Sequence, residues 1–293
     1  MFTPIVVPWD GSMFADRAIP YAVHLARSLN GQLLLVRVVS DDQSEPDVDA
    51  ELARVRERLS LIGVSAQAKL STGNPASTIV ALAKQEPESM IVMSTHGRSG
   101  MSRWLGGSVA DDVLRHTNVP VILVPSGRNS DWGENHPFRI LVPLDGSHFS
   151  EQACTIVRPL AHSLNADVIL LRVVDPSSQA YTTGLIGDTR VPPSEITSAL
   201  TYLDDCARAE AWLDRTPIVR TVVGHPDSAI AKVALELGVD LIAMATHGRS
   251  GLLRLVLGSV ANVTVQEANV PVLLTKLAEV EKADVQNGVL LAS

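Results

Sequence analysis

Cysteine is scarce in this chain, which has only Cys154 and Cys206 among its 293 residues. Two cysteines are too few for a disulfide framework, and no Cys/His cluster has the spacing of a zinc site. The composition therefore argues against a small disulfide-stapled secreted domain and favours a cytoplasmic protein in a reducing environment.

Long apolar runs and an excess of basic charge are also missing. Charges interrupt every stretch that could span a bilayer, and Met1-Phe2-Thr3-Pro4 lacks the basic region and cleavage site of a secretory signal. The net charge is −8, whereas a general nucleic-acid surface needs a basic face. We therefore expect no membrane and no nucleic-acid partner, while a small basic pocket for one nucleotide stays open.

An internal repeat organises the whole chain. Val7-Pro8-Trp9-Asp10-Gly11-Ser12 matches Val142-Pro143-Leu144-Asp145-Gly146-Ser147, with Asp145 standing 135 positions after Asp10. Thr95-His96-Gly97-Arg98-Ser99-Gly100 matches Thr246-His247-Gly248-Arg249-Ser250-Gly251 at an offset of 151. The difference between 151 and 135 gives the second copy 16 extra residues. They fall mostly between Asp175 and Glu195, a Ser-, Thr-, Gly- and Pro-rich stretch that predicts either a surface loop or a lid on the second site.

The domain organisation follows from the repeat. With 46% hydrophobic residues, the chain can bury two full cores. We predict a first domain at residues 1–126, a linker at residues 127–137, a second domain at residues 138–276 and a C-terminal tail at residues 277–293. The linker contains Ser, Gly, Asn and Asp together with Trp132.

Each copy alternates short apolar, β-branched runs with segments of helical spacing. In the first copy, helices are predicted at residues 12–29, 47–61 and 108–116 and from Pro75, and strands at residues 5–7, 33–39, 66–70, 90–93 and 120–124. Near-continuous apolar strands alternating with helices indicate a parallel sheet covered on both faces. The predicted fold class is therefore α/β: two doubly wound three-layer α/β/α domains, each with a five-stranded parallel sheet. Ligands bind such sheets beyond the carboxyl ends of the strands, where the winding reverses.

A glycine-bracketed loop lies at that edge in each copy. In the first copy Gly97 and Gly107 enclose nine residues, and Ser108 begins a helix. Glycines let the backbone approach a ligand, and the helix start presents unpaired N–H groups, so together they suit a phosphate. Four arginines could add positive charge: Arg98, Arg103, Arg249 and Arg254. The alternative is a strand-to-helix turn with a serine N-cap, Ser108 or Ser259, that binds nothing.

Three further residue types lie near the inferred site and need interpretation. Asp10 and Asp145 are either carboxylates that accept hydrogen bonds from a nucleoside or turn residues of Asp-Gly-Ser, with the serine capping the next helix. His96 and His247 lack a nearby nucleophile or second base in the sequence, which favours a structural or phosphate-loop role. Packing is the favoured role for Trp9 and Trp104, which lie near the inferred site.

At these residues the chain resembles the universal stress protein family in its tandem form. Its ATP-binding members carry Gly-x-x-Gly, nine residues, then Gly-Ser/Thr. The first copy has Ser94-Thr95-His96-Gly97, nine residues and Gly107-Ser108, and the second has Ala245-Thr246-His247-Gly248, nine residues and Gly258-Ser259. Ser94 and Ala245 stand where the family motif has its first glycine. The resemblance covers nearly the whole chain, except the linker, the insert and the tail.

The resemblance implies a Rossmann-like fold of the adenine nucleotide alpha hydrolase-like type, with ATP as the ligand, often accompanied by Mg²⁺ or Mn²⁺. Asp10 and Asp145 would contact adenosine, and the backbones of Val38 and Val173 would touch adenine. The expected nucleotide-binding residues are Pro8, Asp10, Val38, Met93, Gly97, Arg98, Gly100, Gly107, Ser108 and Val109 in the first copy. In the second they are Pro143, Asp145, Val173, Met244, Gly248, Arg249, Gly251, Gly258, Ser259 and Val260.

The resemblance also implies that the last strands, with Val119-Pro120-Val121 and Val270-Pro271-Val272, pair the two domains within one chain, and a homodimer of tandem chains stays open. No catalytic residue is predicted, because the sequence shows no Walker A lysine motif and no carboxylate–base pair for activating water. The expected function is an ATP-binding, nucleotide-dependent stress-response or signalling module. The alternatives are a slow ATPase, since phosphoryl transfer relies mainly on positioning and charge, and a nucleotide-free interaction scaffold.

Overall fold

The computed structural model describes residues 2–39, 45–86, 88–95, 108–126, 132, 136–177, 191–208, 212, 215–246 and 257–276. Its first half contains, in chain order, β1 (Ile5–Pro8), α1 (Met13–Asp16), α2 (Ala18–Ser28), β2 (Leu33–Val39), α3 (Glu45–Leu61), β3 (Ala66–Thr72), α4 (Pro75–Gln85), β4 (Met90–Ser94), α5 (Ser108–His116) and β5 (Val121–Val124). Its second half contains β6 (Arg139–Pro143), α6 (His148–Leu164), β7 (Asp167–Val174), α7 (Pro193–Arg208), β8 (Ile218–Val223), α8 (Pro226–Glu236), β9 (Leu241–Ala245), α9 (Ser259–Glu267) and β10 (Val272–Thr275).

The ten strands form one sheet in the order β3-β2-β1-β4-β5-β10-β9-β6-β7-β8. Strands within each half are parallel, whereas β5 and β10 pair antiparallel, with Val272 opposite Leu123. Both halves therefore have the same strand order, which confirms the predicted α/β class of two doubly wound domains with five parallel strands each. The winding reverses between β1 and β4 in the first half and between β6 and β9 in the second.

Two hydrophobic layers cover the faces of the sheet. On one face, buried residues of α2, α3, α6 and α7 pack on alternate strand residues such as Val7 and Val142. On the other face, α4, α5, α8 and α9 pack on the intervening residues, such as Val6 and Leu141. Because both faces are buried, the inner strands have continuous apolar runs, whereas the edge strands β3 and β8 are only partly buried and their exposed residues alternate.

The helix predicted over residues 12–29 is divided in the structure. Helix α1 ends at Asp16 and α2 begins at Ala18. Pro20 has no N–H to donate to the carbonyl of Asp16, four residues earlier, and its ring crowds that carbonyl, which disfavours a continuous helix there. The second copy has Thr155 at the matching position, and α6 runs unbroken from His148 to Leu164 although it contains Pro159 four residues further on.

Trp132 lies in the predicted linker and is buried, with only 5% of its surface exposed. Its ring makes edge contacts with Tyr21 of α2 at a centroid distance of 4.9 Å and with Phe138, just before β6, at 5.1 Å. Its indole N–H donates a 2.7 Å hydrogen bond to the carbonyl of Asp240. This side chain therefore joins the two halves.

A second polar contact crosses between the halves. Lys276, directly after β10, donates from Nζ to the carbonyl of Arg115 at 2.8 Å, near the end of α5. A cation there is favourable because carbonyls at a helix C-terminus carry partial negative charge. Burial, with a further contribution from Arg115, lowers the pKa of Lys276.

The two cysteines lie on neighbouring helices as free thiols, Cys154 on α6 and Cys206 on α7. Burial raises the pKa of Cys154 to about 12 and also raises that of Cys206. Both are therefore protonated at neutral pH and behave as small apolar side chains.

Candidate functional site

The Asp-Gly-Ser turns lie at the carboxyl ends of β1 and β6. The carboxylates of Asp10 and Asp145 each accept a hydrogen bond from the backbone N–H two residues later, at 2.9 and 3.0 Å. The hydroxyl of Ser12 accepts from the N–H of Ala15, and Ser147 caps α6 in the same way. The turn-and-cap interpretation of these residues is therefore seen in both copies, and in the second copy Asp145 also lines a cavity.

Gly11 and Gly146, between the aspartate and the serine, have positive φ angles of 79° and 80°. A Cβ at Gly146 would also stand 3.1 Å from a guanidinium nitrogen of Arg172, and one at Gly11 would stand 2.8 Å from Arg37. Both turns thus require glycine, because L side chains rarely adopt this conformation.

We expect Gly146→Ala to lower the free energy of unfolding by about 1–2 kcal/mol, the cost of a left-handed residue with a Cβ. Urea denaturation would measure the change. Gly224→Ala is the control, because its Cβ would meet only Ala229 Cβ, at 3.7 Å. Equal stability of the Gly146→Ala and Gly224→Ala proteins would contradict this account.

A cavity of about 630 Å³ opens at the carboxyl edge of the second half. It lies at the switch point, because β6 and β9 both reach it through Pro143 and Met244. Its volume is within the range usual for small-molecule sites. Seven expected nucleotide-binding residues line it together: Pro143, Asp145, Val173, Met244, Gly258, Ser259 and Val260.

The start of α9 opens into this cavity. The N-cap is Gly258, not Ser259, which is instead the first helical residue; within the described residues no side chain caps this end. The amide of Gly258 donates to the carbonyl of Thr246 at 2.7 Å, which holds the helix start against the end of β9. Because Gly258 has no side chain, nothing of its own covers the N–H groups of the first helical turn, which can receive an anion.

The apolar residues of the expected site lie on one face of the sheet. Val173, Met244 and Val260 belong to the layer formed by α8 and α9. In the first copy Val38, Met93 and Val109 belong to the corresponding layer with α4 and α5. Ala245, in place of the first motif glycine, ends β9 and places a methyl group on the cavity wall, whereas Ser94 ends β4 and is buried.

Part of the expected site lies outside the described residues. These are the loop positions Gly97, Arg98, Gly100, Gly107, Gly248, Arg249 and Gly251, together with His96, Arg103, Trp104, His247 and Arg254. Ser108 is described only as the first residue of α5. Pro8 ends β1, next to Val36 of β2.

The sequence interpretation did not include Arg172 and Tyr202, although both line the cavity. The Cζ atom of Arg172 is 5.8 Å from the centroid of the Tyr202 ring, and the Tyr202 hydroxyl donates to Glu151 at 2.9 Å. Burial, followed by this hydrogen bond, raises the pKa of Tyr202, so its phenol is neutral at physiological pH. The sequence did contain a signal for Arg172. Arg37 and Arg172 stand 135 positions apart, the offset of the Asp-Gly-Ser repeat, inside strands that are otherwise apolar, and burying an unpartnered charge there would be costly.

Acidic residues also line the cavity, namely Asp145, Asp175 and Glu195. Over the described part of the chain, no three or more His, Cys, Asp or Glu side chains come together as ligands for a metal ion. No helix within the same residues is long and apolar enough to cross a membrane.

Comparison with known proteins identifies the family. The model of the universal stress protein family matches the chain twice, at residues 1–125 and 138–276. The chain belongs to the universal stress protein family. Universal stress proteins of Mycobacterium tuberculosis and Mycobacterium bovis are each 26% identical to it over 294 residues, covering 93% of this chain and 96% of theirs. It is thus a tandem universal stress protein.

Solved structures support the fold of this universal stress protein. A universal stress protein from Archaeoglobus fulgidus aligns with a TM-score of 0.67 at 21% identity, over 94% of this chain and 97% of that one. At this identity the likeness establishes the Rossmann-like, two-domain architecture.

Proposed function

We propose that this tandem universal stress protein binds ATP, one molecule in each domain, and acts as a nucleotide-dependent module in a stress response. In this proposal the two ATP-binding domains are residues 1–126 and residues 138–276, and residues 127–137 form the linker between them. The two domains are joined edge to edge within one chain, because β5 and β10 pair and cover each other's edges.

One observation carries the proposal: the glycine-capped start of α9 opens into the cavity beside the Asp145 turn. A helix start without a capping side chain is an anion site, and it suits phosphate groups. Val173, Met244 and Val260 line the same cavity and supply apolar surface there. A ligand with an apolar ring system and a phosphate chain matches both parts.

A divalent cation fits this proposal as a companion of the nucleotide. Mg²⁺ is usually bound through phosphates, waters and one or two carboxylates rather than by a protein cage. Asp145, Asp175 and Glu195 line the cavity and offer such carboxylates. They would hold the cation only together with the phosphates, which it would partly neutralise.

The nucleotide content of the gently purified protein tests the proposal. We expect denaturation to release adenine nucleotide, up to one molecule per domain, and added ATP to remain intact for hours with Mg²⁺, because the sequence shows no carboxylate–base pair for activating water. Chromatography of the released nucleotide measures both quantities. Stoichiometric ADP formed from added ATP would favour a slow ATPase, and absence of both nucleotide and ATP affinity would favour an interaction scaffold.

A further inference from the structure

The second cleft has an aromatic wall built by α7. Tyr202 lines the cavity, and its hydroxyl is held by Glu151 of α6. Arg172 packs against the same ring, with its Cζ 5.8 Å from the centroid, and donates to the carbonyl of Leu144 at 3.2 Å. The ring is therefore held in place from two sides before any ligand arrives.

The first copy arranges the equivalent residues differently. Within the described part of the first half, the ring beside Arg37 is Trp9, directly after β1, which donates from Nε1 to Asp16 at 2.7 Å and lies 5.5 Å from Cζ of Arg37. Trp9 and Arg37 are only 7% and 3% exposed. At the offset of 151, α3 presents the exposed Glu51 where α7 has Tyr202.

The distance between the start of α9 and Arg172 indicates which part of a bound nucleotide Tyr202 would contact. Gly258 is hydrogen-bonded to Thr246, which directly follows β9, whereas Arg172 belongs to β7, and β6 separates these two strands. Two strand spacings amount to about 10 Å. That separation suits the distance between the phosphates and the base of one nucleotide, and Tyr and Arg are side chains on which bases stack.

We infer that Tyr202, supported by Arg172, is the surface on which the base stacks in the second cleft, and that the second cleft binds base-containing ligands more tightly than the first. The inference rests on the proposed nucleotide binding and adds a specificity residue to it. The first cleft is weaker because α3 contributes a carboxylate instead of a ring at this position, and Arg37 is enclosed.

Titration of the nucleotide-free full-length chain with Mg-ATP, and separately with Mg-tripolyphosphate, tests this assignment. The wild-type protein is expected to show a tight and a weak class of ATP site. Tyr202→Ala is expected to weaken the tight class about tenfold, the typical loss when a stacking ring is removed. Tripolyphosphate has no base, so its affinity is expected to stay unchanged, which also shows that the cleft is still folded.

Tyr202→Phe is the matched control, because it keeps the ring and removes only the hydroxyl bonded to Glu151; it is expected to retain the tight class. A single class of ATP site in the wild type, or unchanged ATP affinity in Tyr202→Ala, would overturn the inference alone. Equal losses for ATP and tripolyphosphate would also overturn it, since the ring would then only support the cleft. A wild-type protein that binds no ATP would overturn the nucleotide proposal as well.

Discussion

Gly107→Val and Gly258→Val together are expected to abolish nucleotide binding by both domains while the protein remains folded. Gly258 is the N-cap of α9, with φ −61° and ψ 157°, a conformation that valine also adopts. A Cβ there would stand 3.4 Å from the carbonyl of Thr246, so the backbone can accept it. Gly107, outside the described residues, is its counterpart at the offset of 151.

The loss follows from what the valine side chain would cover. Its two methyl groups would occupy the mouth of the cavity in front of the first-turn N–H groups of α9. Losing two charge-assisted hydrogen bonds, at about 1.5–3 kcal/mol each, lowers affinity at least about a hundredfold. Calorimetric titration with ATP measures the affinity, and circular dichroism verifies the fold.

Gly224→Val serves as the control for this double variant. Gly224 lies at the same edge of the sheet, between β8 and α8, and is not among the residues that line the cavity. We expect it to bind ATP as the wild type does. Retained ATP affinity in the Gly107→Val, Gly258→Val protein would show that the helix starts do not hold the phosphates.

Trp132→Ala is expected to lower the free energy of unfolding by about 3–5 kcal/mol, the usual cost of removing a buried tryptophan side chain. The ring packs between Tyr21 and Phe138, and its N–H is bonded to the carbonyl of Asp240. The cavity left behind would lie between the two halves of the chain. Urea denaturation measures the stability, and faster proteolysis between the domains would accompany the change.

Trp132→Phe separates packing from hydrogen bonding at this position. It keeps a ring between Tyr21 and Phe138 but leaves the carbonyl of Asp240 without the indole N–H. Loss of that one hydrogen bond is expected to cost about 1 kcal/mol, in addition to a smaller packing loss. If Trp132→Ala lowered the free energy of unfolding no more than Trp132→Phe, the aromatic contacts would not be what attaches the domains.

Much of the fold could be predicted because local pattern and tertiary environment agree. The strand predicted at residues 33–39 and the helix predicted at residues 108–116 have those bounds in the structure. The break between α1 and α2 was missed because apolar spacing continues across it, whereas Pro20 removes a backbone donor that spacing does not reveal.

The candidate site was only partly predictable. Asp145, Gly258 and Val260 were expected from a repeated motif, and the structure brings them to one cavity. Tyr202 was not expected. The helix α7 follows the insert, and the matching position of the first copy holds Glu51, which is not aromatic. No short motif marks a residue whose role depends on which helix packs on which strand.

The repeat, the α/β class and the positions of the glycine loops follow from the sequence alone, because each depends on residue type and spacing along the chain. The tertiary structure decided how the two copies differ. It buries Arg37 against Trp9 but places Arg172 beside Tyr202 on a cavity wall. It also puts Trp132 in the core between the halves. These contacts join residues separated by tens of positions, and only packing of the helices on the sheet brings them together.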